Sequence, residues 1–295
     1  MGPESAMLVR TRDFSASELD RFRTLQRLSF SILEETAAGL VEGSTEREVA
    51  RALVARYRAE GVISFFHLPV VLFGERTALP GDWSLGKFYP RERALAPGDA
   101  VILDASPLFG GYLVDTSYSC CFGESPVHRQ MMADLARFRD GVREAVAAGR
   151  RFKAIADEVA AGIEAMGYAP VHRKHPGEVL GHRALKSPQL PFAWRIGGFD
   201  APSLGWFLLM GRAARAGLVR GAPTWNQQET SDHTPLDGLW LVEPHAGRGP
   251  VGVKWEEILV VEKGRARWLD EEPPHVRQWR QIAAGETYHP RPATG

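Results

Sequence analysis

Residues 95–117 have the sequence LAPGDAVILDASPLFGGYLVDTS, and this stretch decides the fold that we predict for the chain. Apolar and β-branched residues dominate both halves, and the turn-forming residues 107–111 separate them. This pattern is typical of a β-hairpin. A turn centred on Phe109 and Gly110 would place Asp104 opposite Asp115, with their Cβ atoms about 4.5–5.5 Å apart on one face of the sheet.

Two carboxylates this close repel each other, and an apolar strand offers little water to screen them. The C-terminal part repeats the arrangement, because Glu243 in LWLVEPH and Glu256 in GVKWEEILVV would oppose each other across a turn at Gly249-Pro250. Four acids on apolar strands suggest one shared site in which two divalent cations balance four negative charges. A single pair could equally be an exposed edge charge or the partner of a buried Arg or Lys, but two independent pairs favour the metal site.

The rest of the chain predicts an α+β fold in one domain over residues 1–295. Capping boxes at Ser15/Glu18 and Thr45/Glu48 begin two helices. Further helices are expected at 125–148 and 152–166, and strands at 65–73, 239–244, 251–261 and 266–269. Residues 78–93, which we call the access loop, are expected to cross a surface or cleft. Residues from about 190 to 237 show no periodicity and are predicted to be an insertion, and the tail after Pro273 is expected to be peripheral.

The composition is that of an ordinary globular protein, with 44% apolar and 24% charged residues. The 36 basic and 36 acidic residues cancel, so no overall field favours nucleic acid or an anionic membrane. No apolar run approaches the roughly 18 residues of a membrane span, and the N-terminus lacks the apolar core of a secretory signal, which predicts a cytoplasmic protein. The adjacent Cys120 and Cys121 do not make a thiolate site, so oxygen and imidazole would have to bind any metal.

The histidines of the chain would supply the imidazole ligand of such a metal site. Residues 172–182 contain three of the nine histidines and lie between the two pairs of acids. A neutral imidazole is a normal ligand beside carboxylates. Spacing alone does not distinguish a ligand from a structural histidine, and we expect His172 to be structural. His67, His233 and His245 stay open, and His245 is the most suggestive because it follows Glu243-Pro244.

Four motifs together resemble the pita-bread metallohydrolase family, which includes methionine aminopeptidases, Xaa-Pro aminopeptidases, prolidases and the metal-free relative creatinase. They are LAPGDAVILDA at 95–105, GYLVDTS at 111–117, LDGLWLVEP at 236–244 and GVKWEE at 252–257. The resemblance covers the family's catalytic domain, from about Asp13 to Leu269. It implies a curved antiparallel sheet backed by helices.

The resemblance also implies roles for the acids. Asp104 would bind one ion through both oxygens, Asp115 and Glu256 would bridge two ions, and Glu243 would bind the second ion and handle protons. The resemblance implies two divalent ions, with manganese favoured over cobalt, iron or zinc.

The resemblance further implies a histidine ligand for the second ion. The family places that ligand seven residues before a histidine that faces the substrate, and His175 with His182 reproduces the interval. We therefore assign His175 as ligand and His182 as the group that stabilises the oxyanion. The alternative takes His182 as the ligand, because Gly181-His182 resembles the family's Gly-His pair.

The sequence departs from the family pattern in three places. Glu178 replaces a glycine, the insertion is long, and Gly81 stands where the access loop usually carries a histidine that stabilises the transition state. His67 or a residue of the insertion would have to substitute for that histidine. We therefore assign His67 and His245 as possible substrate contacts.

The predicted function is hydrolysis of a peptide C–N bond, of the Xaa-Pro type, by a hydroxide that bridges two metal ions. The partners would be a short peptide or small amide and, by resemblance, a second copy of the chain in a homodimer. One alternative is a non-peptide amide or specialised metabolite as substrate, which the loss at Gly81 and the insertion's Trp194, Trp206 and Trp225 motivate. Another is a non-enzymatic binding module, against which the full set of ligand candidates argues.

Overall fold

The computed structural model describes residues 9–82, 84–188, 191–288 and 290–291. Its α-helices are α1 (Ala16–Ala38), α2 (Glu46–Ala59), α3 (Leu85–Phe88), α4 (Pro126–Leu135), α5 (Arg137–Ala147), α6 (Phe152–Ala165), α7 (Ala201–Arg215) and α8 (Pro274–Ala283). Its β-strands are β1 (Ser64–Phe65), β2 (Val70–Phe73), β3 (Ala100–Ala105), β4 (Pro107–Phe109), β5 (Tyr112–Leu113), β6 (Thr116–Cys121), β7 (Ala169–Pro170), β8 (Gly181–Arg183), β9 (Arg195–Ile196), β10 (Phe199–Asp200), β11 (Thr224–Trp225), β12 (Gly238–Val242), β13 (His245–Arg248), β14 (Val251–Lys254), β15 (Glu257–Glu262) and β16 (Arg265–Trp268).

Helices α1 and α2 begin at the predicted capping boxes. The Ser15 hydroxyl accepts from the backbone N–H of Glu18, and the Glu18 carboxylate accepts from the backbone N–H of Ser15. Thr45 and Glu48 make the same reciprocal pair. Each box satisfies backbone donors that the first helical turn would otherwise leave without partners.

Antiparallel pairing joins the strands. One sheet has the order β2-β3-β6, a second has the order β11-β8-β12-β15-β16, and a third has the order β14-β13-β7.

The side chains of β12 show why its sequence is apolar throughout. Leu239 and Leu241 face the core that α1 and α2 cover, whereas Trp240 and Val242 face the core beneath α4, α5 and α6. Both faces of this strand are therefore buried.

The hairpin at residues 100–121 forms in a different register from the predicted one. Asp104 lies opposite Ser117, not opposite Asp115. The cause is the position of the turn, because Phe109 pairs with Tyr112 and the intervening Gly110 and Gly111 both have positive φ, 58° and 86°. Two glycines with positive φ form the tight turn that matches strand twist. The shift moves the partner by two residues, so Asp104 and Asp115 keep the same face as diagonal neighbours.

The C-terminal hairpin has the predicted register. Arg248 pairs with Val251 around the turn, and Val242 pairs with Glu257 further along. Between these pairs the ladder is interrupted, because Pro244 has no N–H to donate and Glu256 instead pairs with Ser117 of the other sheet. The interruption brings the two sheets together at the predicted acids.

Three segments differ from expectation. Residues 126–147 form two helices, which Ala136 separates with its backbone still helical. The predicted insertion begins at Leu190, which lies outside the described residues, and it contains helix α7. The apolar residues FLLM follow one another directly in this helix, so the sequence shows no helical periodicity. The tail after Pro273 is not peripheral, because α8 buries His275 and Val276 and stacks His275 on Trp255 with ring centroids 5.4 Å apart.

Gly252 allows β14 to pack tightly on the backbone of Thr77, and it provides a test of this packing. A Cβ at Gly252 would lie 2.0 Å from the Thr77 carbonyl oxygen, whereas a Cβ at Gly141, exposed on α5, would meet nothing within 4 Å. We expect Gly252→Ala to lower the free energy of unfolding by about 3 kcal/mol. Gly141→Ala should raise it by about 0.5–1 kcal/mol. Urea unfolding of both variants tests the pair, and equal stabilities would contradict this packing.

Candidate metal centre

The four acids predicted from the sequence meet at the junction of the sheets. Asp104 lies in β3, Asp115 lies between β5 and β6, Glu243 follows β12, and Glu256 lies between β14 and β15. Each is at most 4% exposed. Three of their oxygens, Asp104 Oδ1, Asp115 Oδ1 and Glu256 Oε2, have no hydrogen-bond partner among the described residues, although Glu256 Oε2 forms an ion pair with Lys254 at 2.9 Å. Buried carboxylate oxygens without partners are costly, so the site suits a bound cation.

Two histidines direct one ring nitrogen into the group of acids. The Nδ1 atoms of His67 and His182 lie 3.0 Å and 3.2 Å from the carbonyl oxygens of Leu68 and Arg183. A carbonyl only accepts, so each Nδ1 carries a proton and each Nε2 faces the site. His67 Nε2 lies 3.5 Å from both Asp104 Oδ1 and Asp115 Oδ2.

His182 Nε2 lies among the other carboxylates. It is 3.4 Å from Asp115 Oδ2, 3.9 Å from Glu256 Oε1 and 4.0 Å from Glu243 Oε1. The backbone explains its position, because Gly181 and His182 pair with Val242 and Leu241 of β12, directly before Glu243. A Cβ at Gly181 would lie 2.2 Å from the Leu241 carbonyl oxygen, so only glycine permits this approach.

His175 is placed differently, because both of its ring nitrogens already have partners. Its Nδ1 lies 2.9 Å from Glu243 Oε2, and its Nε2 lies 2.9 Å from His245 Nδ1. His245 Nε2 in turn donates to the Thr77 carbonyl oxygen at 2.7 Å. Because that carbonyl only accepts, His245 Nδ1 must accept from His175 Nε2 while His245 is neutral. Burial and the nearby His175 and Lys254 lower the pKa of His245 well below its ordinary value, which keeps it neutral.

One residue of the site was missed from the sequence. The Lys254 ammonium lies 2.5 Å from Asp104 Oδ2, 2.8 Å from Glu243 Oε2 and 2.9 Å from Glu256 Oε2. The signal was present, because Lys254 stands two residues before Glu256 on the same face of an apolar strand. A lysine is rarely this buried unless it is paired.

Burial and neighbouring charged groups explain the shifted pKa values of three of these acids. Burial opposes ionisation of Asp115 and Glu243, but His67 and His182 lower the pKa of Asp115, and Lys254 and His175 lower that of Glu243. Burial and then Asp115 raise the pKa of Glu256 well above its ordinary value. Without a further cation, the four carboxyl groups do not all ionise easily in this volume.

Two sets of donor atoms could each hold a metal ion. One set is His67, Asp104 and Asp115, and the other is Asp115, His182 and Glu256; the donor atoms of each lie within 4.8 Å of one another. Oxygen and imidazole donors of this kind accept manganese, cobalt, iron or zinc. The residues present therefore fit divalent metal.

The space above these histidines is closed by aromatic side chains. Four phenylalanine rings, which we call the aromatic cover, pack there: Phe66, Phe88, Phe199 and Phe207. Phe207 belongs to α7, and its ring centroid lies 4.9 Å from that of Phe66 and 5.7 Å from that of His182. The segment predicted as an insertion thus covers the site.

The other residues singled out from the sequence lie outside this cover. Gly81 is exposed, with φ of 73°. Trp225 is buried and stacks on Phe152 with centroids 4.0 Å apart, and Trp194 is 57% exposed. Trp206 packs on Phe207 at 5.3 Å. Of the three tryptophans, Trp206 is the one that supports the aromatic cover.

No helix within the described ranges combines the length and the apolar character needed to cross a membrane.

Solved structures with similar folds are described as aminopeptidases, dipeptidases and prolidases. An X-Pro aminopeptidase from Thermotoga maritima superposes with a TM-score of 0.64 at 18% identity, over 92% of this chain and 64% of that chain. A prolidase from Pyrococcus furiosus gives a TM-score of 0.61 at 16% identity, over 88% of this chain and 65% of that chain. These likenesses confirm the α+β pita-bread fold predicted from the sequence.

Sequence comparison points to the same group of proteins. An uncharacterized peptidase of Staphylococcus saprophyticus is 26% identical over 170 residues, which are 57% of this chain and 46% of the relative. The chain thus spans about half the length of that relative. The model of metallopeptidase family M24 matches residues 20–202, a stretch that includes Asp104, Asp115, His175 and His182. The resemblance found in the four motifs is confirmed, and the chain belongs to metallopeptidase family M24.

Proposed function

We propose that this protein is a metal-dependent hydrolase that cleaves a C–N bond in a short peptide, with two divalent ions held by Asp104, Asp115, Glu243, Glu256 and one histidine. The observation that carries the proposal is the convergence of four buried carboxyl groups, three of which have an oxygen without a hydrogen bond among the described residues. Family membership supports the same chemistry.

We propose His182, not His175, as the nitrogen ligand. His182 Nε2 faces three of the carboxylates, whereas both nitrogens of His175 are engaged with Glu243 and His245. This is the alternative that the Gly181-His182 pair offered in the sequence. His175 would then act on Glu243, because its Nδ1 lies 2.9 Å from Oε2 and leaves Oε1 towards the site.

Divalent ions, when bound, polarise a scissile carbonyl and lower the pKa of a coordinated water towards neutrality. Glu243 Oε1 would accept the proton of the attacking water and return it to the leaving amine. His67 would donate from Nε2 to the oxyanion, the role expected of the histidine missing at Gly81. In the metal-free protein burial lowers the pKa of His67, whereas Asp115 and Asp104 raise it to about 9.

The names of the similar structures support an Xaa-Pro peptide as substrate, since they are described as X-Pro aminopeptidase and prolidase. A small non-peptide amide is the second candidate. The aromatic cover favours it, because Phe66 and Phe207 close directly over His182 and leave an apolar surface towards the site. Manganese as the metal, a homodimer, a cytoplasmic location and a single domain over residues 1–295 stay predictions from the sequence.

Replacing each of the two histidines by alanine tests the ligand assignment. We expect His182→Ala to lose the tightly bound Mn²⁺, because it removes a donor atom. His175→Ala removes only a hydrogen bond to a ligand and should weaken Mn²⁺ binding about 10–100-fold. Isothermal titration with MnCl₂ on both variants measures the difference. A His175→Ala protein that binds less Mn²⁺ than His182→Ala would restore the assignment first drawn from the sequence.

Turnover tests the reaction. The Mn²⁺-loaded protein should hydrolyse Xaa-Pro dipeptides, and removal of the metal with a chelator should abolish hydrolysis until Mn²⁺ is returned. Glu243→Gln should lower kcat about 10²–10⁴-fold because it removes the proton acceptor. Glu271→Gln, at an exposed position outside the site, is the matched control and should keep wild-type kcat. A metal-loaded protein that cleaves small amides and no dipeptide would select the second candidate, and chelator-resistant hydrolysis would contradict the metal mechanism.

A further inference from the structure

Lys254 lies at the centre of the four carboxyl groups. Among the described residues it is the one lysine whose ammonium lies within hydrogen-bonding distance of them. Its side chain is 4% exposed, and its ammonium contacts one oxygen each of Asp104, Glu243 and Glu256. In the ladder Lys254 lies opposite His245, which fixes its backbone beside the site. The side chain is therefore held among the carboxylates.

The contacts divide the oxygens of the site into two sets. Asp104 Oδ2, Glu243 Oε2 and Glu256 Oε2 face the Lys254 ammonium, and Glu243 Oε2 also contacts His175 Nδ1. The other oxygen of each acid faces a histidine: Asp104 Oδ1 lies near His67, and Glu243 Oε1 and Glu256 Oε1 lie near His182. Both sets of residues that could hold a metal include Asp115 and one of these two histidines.

A pair of ions bound as the family resemblance implies would need both sets of oxygens. Asp104 would bind through both oxygens and Glu256 would bridge, so atoms that now contact the ammonium would have to turn to metal. An ammonium and a divalent ion repel each other, and in a buried site this repulsion is only weakly screened. One ion can bind with Asp115, His182 and Glu256 while Lys254 stays in place. An ion beside His67 and Asp104 could gain the second Asp104 oxygen only by displacing the ammonium, so Lys254 would weaken its binding.

We propose that Lys254 is a built-in cation that holds the carboxylates together in the metal-free protein and competes with the second divalent ion for Asp104 and Glu256. The two ions therefore bind with unequal affinity, and the first binds with Asp115, His182 and Glu256. The inference rests on the proposed metal site but not on the proposed reaction.

An orienting role for Lys254 makes the opposite prediction. A residue that only positions ligands weakens metal binding about 10–100-fold when it is removed. A competing cation strengthens binding of the second ion when it is removed. The sign of the change in affinity therefore separates the two roles without any measurement of activity.

The test is a titration of metal-free protein with MnCl₂, followed by calorimetry and by elemental analysis after gel filtration. Wild type should show two classes of site that differ at least about tenfold in Kd, with one Mn²⁺ retained per chain. Lys254→Met should retain two, with the second ion bound about 10–100-fold more tightly, a range that matches other changes beside metal ligands. Lys254→Arg keeps the charge and should bind the second ion as weakly as wild type.

Stability of the metal-free protein supplies a second measurement. Lys254→Met leaves buried carboxylates without their cation and should lower the melting temperature by roughly 5–10 °C, and Mn²⁺ should restore it. Lys153→Met, which removes a lysine paired with Asp157 on α6 outside the site, is the matched control and should bind Mn²⁺ as wild type does.

Each outcome decides between the hypotheses. Equal affinity of the two ions in wild type overturns the competition, even if Lys254→Met does not fold, and leaves the proposed function standing. Weaker binding in Lys254→Met overturns it in favour of an orienting role. If neither wild type nor Lys254→Met binds Mn²⁺, the metal site and this inference fail together.

Discussion

Mutual repulsion of buried carboxylates is the constraint on which the rest of this structure depends. Asp104, Asp115, Glu243 and Glu256 come from two hairpins far apart in the sequence, yet all are nearly inaccessible to water. Ionised acids persist in such a place only beside cations or donors. The fold meets this need with Lys254, His67 and His182, and the packing of helices on both faces of β12 keeps the acids from moving apart.

The acids could be predicted from the sequence because they interrupt apolar strands in pairs. The register of the C-terminal hairpin was also predictable, since Gly249-Pro250 marks its turn. The N-terminal hairpin was predicted with the turn one residue too early, because sequence alone did not show that Gly110 and Gly111 together form it. The error left Asp104 and Asp115 on one face, since the side chains of a strand alternate with a period of two.

Residues whose roles depend on tertiary contacts could not be predicted in the same way. The interval between His175 and His182 favoured His175 as the ligand, whereas the Gly181-His182 pair favoured His182. The proposal of His182 depends on the contacts of His175 with Glu243 and His245, which the sequence does not show. Lys254 was visible as a charge in an apolar strand, but its partners come from three separate segments. Helix α7 was missed because its apolar residues surround it and give no helical period.

The aromatic cover has a consequence for what this protein can attack. Rings from α7, the access loop and the segment before β2 pack on the two histidines that face the acids. For the proposed hydrolysis, a scissile bond would have to pass between these elements. A free dipeptide or a small amide is small enough to do so, whereas a loop of a folded protein is bulkier and more constrained. The enclosure would then select substrates by size, independently of which residues they carry.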